Sequence, residues 1–173
     1  MHGVYRRRDR RFSPWKNGGG ETAEILAFPH GAGLDNFDWR LSTAIVASDG
    51  PFSTFPGVDR VLSVIEGVMV LTIDGASHVV TSASEPFAFS GDTACAARVE
   101  SGPVLDLNVM VRPPFRARVT RAPLVVPEGR VRLILLLEAG CGLERLDLVD
   151  ADAVDPGLVA ALAGVPSLMV ALG

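Results

Sequence analysis

Lysine is almost missing from this chain: Lys16 stands alone against fifteen arginines in 173 residues. Histidine (three), cysteine (two) and long apolar runs are also scarce, and each scarcity removes a class of function. No stretch approaches the roughly 20 apolar residues of a transmembrane helix. No apolar segment follows the basic arm Arg6–Arg11 as a secretory signal requires, so a cytoplasmic location is expected. Cys95 and Cys141 are far apart in sequence and match no metal or redox spacing, which leaves them as free, structural thiols. A net charge of −4 and a pI near 5.3 deny the molecule the overall positive field that holds nucleic acid or an anionic membrane. The expected partner is therefore a small molecule. Arg6–Arg11 is the local exception, either a tether or, the plainer alternative, a solvated strand or frayed end. The replacement of lysine by arginine goes with much Ala, Val and Gly and reflects coding composition, so scarcity alone does not make Lys16 a site.

What is present is an apolar content of 48%, enough for one core or for two small sheets. It comes mostly as short β-branched or apolar runs separated by Gly, Pro, Asp and Ser, the pattern of a sandwich or barrel. The runs predict strands over 22–27, 39–47, 60–66, 68–74, 77–81, 87–89, 94–99, 104–111, 116–119, 131–138 and 144–149. Asp74-Gly75 predicts a hairpin between two of them. One short helix is expected over 156–163, with Asp155 as cap, Pro156 in the first turn, and Gly164 and Pro166 ending it. The arginine- and proline-rich stretch from Arg112 to Arg132 reads as a link between a main β-sandwich, 1–112, and a smaller β region, 113–173. That smaller region completes either a second sheet or the single domain.

Candidate site residues cluster around three features. Lys16 and Asn17 put an ammonium and an amide at the edge of Gly18-Gly19-Gly20, a backbone able to approach a small acidic ligand. The same glycines also serve a simple turn, with Lys16 a solvated charge. In an alternating strand, Arg40 and Ser42 share one face, and Asp106 and Asn108 share another, opposite Leu105 and Leu107. Such a polar set points either to solvent, the plainer reading, or into a cavity between sheets. Arg60 opens a strand after the aromatic segment Gly50–Asp59 and offers a bidentate guanidinium to a carboxylate, unless it is held by Asp59 or Glu66. Phe52, Phe55 and Trp15 are candidate walls or ordinary core.

These residues fall in segments with a recognisable order: Pro14-Trp15-Lys16-Asn17-Gly18-Gly19-Gly20-Glu21-Thr22, Trp39-Arg40-Leu41-Ser42-Thr43-Ala44, Gly50-Pro51-Phe52-Ser53 through Pro56-Gly57-Val58-Asp59-Arg60, Phe89-Ser90-Gly91-Asp92, and Asp106-Leu107-Asn108-Val109-Met110. From Arg11 to about Arg112 the chain resembles the HutD/Ves family. The resemblance implies an all-β, cupin-like jelly-roll β-sandwich, often described as a bicupin. It implies a regulatory role beside histidine-utilisation enzymes, or one in stress response, and binding of an intermediate such as N-formylglutamate. The pocket residues carried over are Lys16, Asn17, Arg40, Ser42, Arg60, Asp106 and Asn108, whose cations and amides suit a small acidic ligand such as a dicarboxylate. Cupin enzymes hold a metal with clustered histidines and a glutamate, whereas His2, His30 and His78 sit in an arm, a loop and a hairpin strand. Neither metal nor other cofactor is therefore expected.

The leading expectation is a metal-free binding protein for a small carboxylate in amino-acid catabolism; a homodimer paired through edge strands is open to it by analogy with cupin-type sandwiches, and the sequence does not fix the oligomeric state. One competitor is a metal-independent isomerase or hydrolase with Lys16 or Asp106 as base. Another is a protein-interaction module using the arginine arm or a sheet edge.

Overall fold

The computed structural model describes residues 2–121 and 128–173, so residues 122–127 of the expected 112–132 link lie outside the described residues. The strands are, in chain order, β1 (Val4–Tyr5), β2 (Ser13–Pro14), β3 (Gly20–Phe28), β4 (Trp39–Val46), β5 (Gly50–Pro51), β6 (Asp59–Ile73) and β7 (Ala76–Thr81). They continue with β8 (Phe87–Ser90), β9 (Cys95–Val111), β10 (Ala117–Arg121), β11 (Val131–Leu136), β12 (Leu148–Asp150) and β13 (Ser167–Leu172), with helix α1 (Pro156–Leu162) before the last. The all-β class and the late helix are as expected: Asp155 accepts a hydrogen bond from the Gly157 amide, and Pro156 opens the helix. No described helix is long and apolar enough to cross a membrane.

The chain forms two compact units, one of Arg11–Phe115 and one of Met1–Arg10 with Arg116–Gly173. The first holds an antiparallel sheet in the order β2-β3-β4-β9-β6-β7, with β5 added to β9 and β8 to β6. Its framework is the β6–β9 pair. The sequence predicts two strands in each of these segments, broken at Gly67 and at Ser101-Gly102. The structure instead carries each strand through the break as a bend: Asp59–Glu66 pairs with 105–111, and Val68–Ile73 pairs with 95–100, with register shifts at Glu66. Gly67 has φ +88°, and a Cβ there would lie 3.0 Å from the Pro103 carbonyl oxygen, so the bend requires glycine. Leu62 and Val64 before the bend and Met69 and Leu71 after it enter one apolar cluster with Val46, Val80 and Val104, so the sheet curls around a common interior. Each fully buried aliphatic side chain there contributes about 1.5–3 kcal/mol. Asp74 and Gly75 both have positive φ, and they join Ile73 to Ala76 as the tight hairpin expected.

In the second unit the sheet order is β1-β12-β11-β13-β10. Strand β13, paired on one side with β11 and on the other with β10, is buried along its whole length, yet Ser167–Leu172 is absent from the predicted strands. The predicted strand 144–149 shortens to β12, because Leu146 adopts φ +69° and Asp147 is held by a turn rather than by a ladder. The arginine arm is not a frayed end. Val4 and Tyr5 pair with Val149 and Leu148, and Arg6 Nη1 lies 2.7 Å from Asp147 Oδ2.

Candidate functional site

The curled sheet sorts the candidate residues by strand alternation. Cross-strand partners share a face, and the register sets Ser42 opposite Asn108, Ala44 opposite Asp106, Asp106 opposite Val64, Asn108 opposite Leu62, and Arg60 opposite Met110. Leu62, Val64, Val46 and Val104 belong to the apolar interior, so Arg60, Asp106 and Asn108 point into the barrel and not to solvent. Their exposure confirms it: 6% for Arg60, 1% for Asp106 and 9% for Asn108. The opposite faces of β4, β6 and β9 are also buried, including Leu41, Thr43, Ser63, Leu107 and Val109. With both faces covered, outward placement of the polar set is ruled out by register and not by composition.

Arg60 lies among three aromatic rings. Its guanidinium carbon lies 5.0, 5.3 and 5.8 Å from the ring centres of Phe89, Phe55 and Phe52, and Nη1 donates to the Ser53 carbonyl at 3.2 Å. Its Nε is buried without a hydrogen-bond partner, as are Asp106 Oδ1 and Asn108 Oδ1. Three orphaned polar atoms on one interior face are unusual, because an unmade buried hydrogen bond costs about 1–3 kcal/mol. Burial lowers the pKa of Arg60 from its ordinary value, opposed by Cys95 and Asp106. Burial raises Asp106 to about 7 against the pull of Arg60. It also raises the Cys95 thiol, again opposed by Arg60.

The aromatic segment is fastened over Arg60 by the Phe89–Asp92 motif. Gly91 accepts from the Phe55 amide and donates to the Val58 carbonyl, while the Asp92 carboxylate accepts from the Gly57 amide. A Cβ on Gly91 would sit 2.6 Å from the Phe55 oxygen, which explains the glycine. Arg112 adds a further tie, donating to the carbonyls of Phe37 and Pro56 at 3.1 Å each. Phe89 enters the sequence reading only as part of a motif, and neither it nor Arg112 is among the candidate site residues. The period-two alternation of Phe87 and Phe89 in a four-residue strand is the signal that could have found the first.

The remaining candidates lie further out. Arg40 pairs with Glu24 at 3.0 Å and contacts Ser42 at 3.4 Å, so its charge is already matched. Lys16 and Asn17 are exposed on the β2–β3 turn, where the Asn17 side-chain oxygen accepts from the Gly19 amide. The glycine run serves this turn: Gly18 has φ +73°, and a Cβ on Gly20 would meet the Ile45 oxygen at 2.5 Å. Trp15 packs against the interior, edge-on to Phe52 at 6.0 Å, with its indole N–H donating to Thr22. Among the described residues no three His, Cys, Asp or Glu side chains are grouped to hold a metal ion. A cavity of about 200 Å³ lies in the other unit beside Arg116, Arg118 and Glu128, open to solvent and lined by none of the orphaned atoms.

Comparison with known proteins agrees with this architecture. The HutD structure from Pseudomonas fluorescens SBW25 superposes with a TM-score of 0.81 at 32% identity, covering 99% of this chain and 98% of that one. A protein of unknown function from Pseudomonas aeruginosa PAO1 gives 0.79 at 30% identity, covering 99% and 97%. Protein Ves of Citrobacter koseri is 42% identical over 101 residues, 57% of this chain and 51% of its own length. An uncharacterized 21.2 kDa protein in the hutC 3' region of Pseudomonas putida is 42% identical over 107 residues, 61% of this chain and 56% of its own. The matched segment thus spans about half the length of these curated relatives. The HutD family pattern covers residues 7–140, and the chain belongs to the HutD family, with its cupin-like, all-β fold.

Proposed function

We propose that this HutD-family chain binds a small carboxylate inside its N-terminal barrel and so senses or buffers a metabolite of histidine or other amino-acid catabolism. One observation carries the proposal: Arg60, Asp106 and Asn108 each keep a buried polar atom unpartnered within an otherwise apolar interior. A guanidinium with a spare N–H suits a carboxylate oxygen. The Asn108 amide offers a donor or an acceptor according to which way it is turned, so an amide-bearing acid such as N-formylglutamate matches the set. The hutC neighbourhood of the Pseudomonas putida relative supports the metabolic setting. No step of this reading needs a metal.

The test is thermal unfolding with N-formylglutamate, urocanate, glutamate and, as control, a neutral amide. Ligand at 100 times its dissociation constant adds about 2.7 kcal/mol. A carboxylate-specific rise that Arg60→Ala reduces at least tenfold in affinity supports the proposal; a response to the neutral amide alone, or none, overturns it.

The position of Asp106 favours a second reading, a metal-independent acid–base enzyme, since a carboxyl raised to about 7 is suited to proton transfer near neutrality. Turnover of any of the three acids, lost in Asp106→Asn with binding retained, would decide for it. Binding with no turnover would decide for the sensor.

A further inference from the structure

We propose that the barrel takes up its carboxylate together with one proton, held between the ligand and Asp106. The inference rests on the carboxylate-binding reading and adds to it a charge rule. The interior face carries one unmatched cation, Arg60 on β6, and one carboxylate, Asp106 on β9. That face also carries Arg40, Cys95 and His78. Arg40 on β4 is paired with Glu24 on β3, Cys95 at the start of β9 is kept neutral by burial, and His78 on β7 stands beside Phe87 at 4.8 Å between ring centres. Lys16 is exposed on its turn.

An incoming carboxylate beside these buried side chains therefore makes two negative charges for one guanidinium. Two carboxylates in one site do not both ionise; the pKa of one rises until they share a proton. The resulting O–H···O⁻ hydrogen bond is short and strong, and the unpartnered Asp106 Oδ1 is the atom available to form it. The same count bears on ligand class. With no second free cation inside, one carboxylate is accommodated in the interior, and any second acidic group must remain outside it.

The sign of the pH dependence follows. Burial already raises Asp106 to about 7 in the empty barrel. Below that pH the proton is in place and binding takes none from solvent, so affinity is flat. Above it binding draws in one proton, and the dissociation constant rises about tenfold per pH unit.

The experiment is titration calorimetry of the full chain with N-formylglutamate, and with acetate as the minimal carboxylate, at pH 5.5 and 8.5, each in two buffers of different ionisation enthalpy. The expected result is no proton uptake at pH 5.5 and close to one proton at pH 8.5, with affinity independent of pH in Asp106→Asn. Wild-type binding with no proton uptake at pH 8.5 overturns proton sharing and leaves the carboxylate reading standing. PH-dependent binding that persists in folded Asp106→Asn overturns the assignment to Asp106. No binding of either probe at pH 5.5, where the proton is already present, overturns both. Should Asp106→Asn fail to fold, the wild-type proton count still decides.

Discussion

Each unit of the molecule completely buries one aspartate, and the two are treated in opposite ways. Asp147, in the C-terminal unit, accepts from the Arg7 and Glu144 amides and from Arg6 Nη1. Burial alone would raise its pKa, but these donors prevail and hold it below the usual carboxylate range. Asp106, in the N-terminal barrel, has an unpartnered oxygen and is raised to about 7. The first aspartate is a clasp: it fastens the arginine arm to the β12 turn, and its satisfied bonds leave nothing for a ligand. The second is kept at a cost to stability. The buried aspartate whose partners are supplied locally belongs to the fold, and the one left with an unpartnered oxygen is the centre of the proposed site.

That contrast predicts its largest effect at the clasp. Asp147→Ala removes a buried acceptor from two amides and a guanidinium, and should destabilise the C-terminal unit by about 3–5 kcal/mol in urea unfolding. Because the folded pKa of Asp147 is depressed, its contribution is present above the ordinary carboxylate range and is lost as pH falls through the folded value. A loss under about 1 kcal/mol at pH 7 would mean the clasp is not structural and would erase the distinction.

At Asp106 the expected sign reverses. Its folded pKa lies above the unfolded value near 3.8, so between these pH values the native state binds more protons and stability falls as pH rises toward and through about 7. Asp106→Asn should therefore unfold at higher urea than wild type at pH 8, by about 1–3 kcal/mol after the lost attraction to Arg60 is subtracted, and close to wild type at pH 5. Destabilisation at both pH values would make Asp106 a structural partner of Arg60 and align it with Asp147.

Sequence patterning made the N-terminal barrel largely legible and the C-terminal unit much less so. The runs 39–47, 68–74 and 77–81 carry β-branched residues between strong turn signals, and the strands lie there. Ser167–Leu172 lacks those cues: Leu, Met and Ala without flanking polar alternation suit helix as well as strand, and only pairing with β10 and β11 decides. The proposed site was legible as a set of residues and not as an inside. Alternation places Asp106 and Asn108 together on one face, but which face is interior depends on the bends at Gly67 and Ser101-Gly102, a tertiary property. Likewise Arg40 is a free cation in the sequence, and only the β3–β4 register brings Glu24 within 3.0 Å of it.

The smallest effect is expected at Lys16, and it tests whether the boundary of the site is the interior itself. An exposed side chain on a turn held by Asn17 and the glycines contributes little to folding, so Lys16→Ala should change unfolding free energy by less than about 0.5 kcal/mol. Its effect on carboxylate affinity should also stay well below the roughly tenfold loss expected for Arg60→Ala, because an exposed ammonium is screened by water and salt whereas the buried guanidinium is not. Equal losses in the two variants would extend the site outward from the barrel to the β2–β3 turn. The lone lysine would then act as the second cation that the interior lacks, and a dicarboxylate would fit with one group inside and the other at that turn.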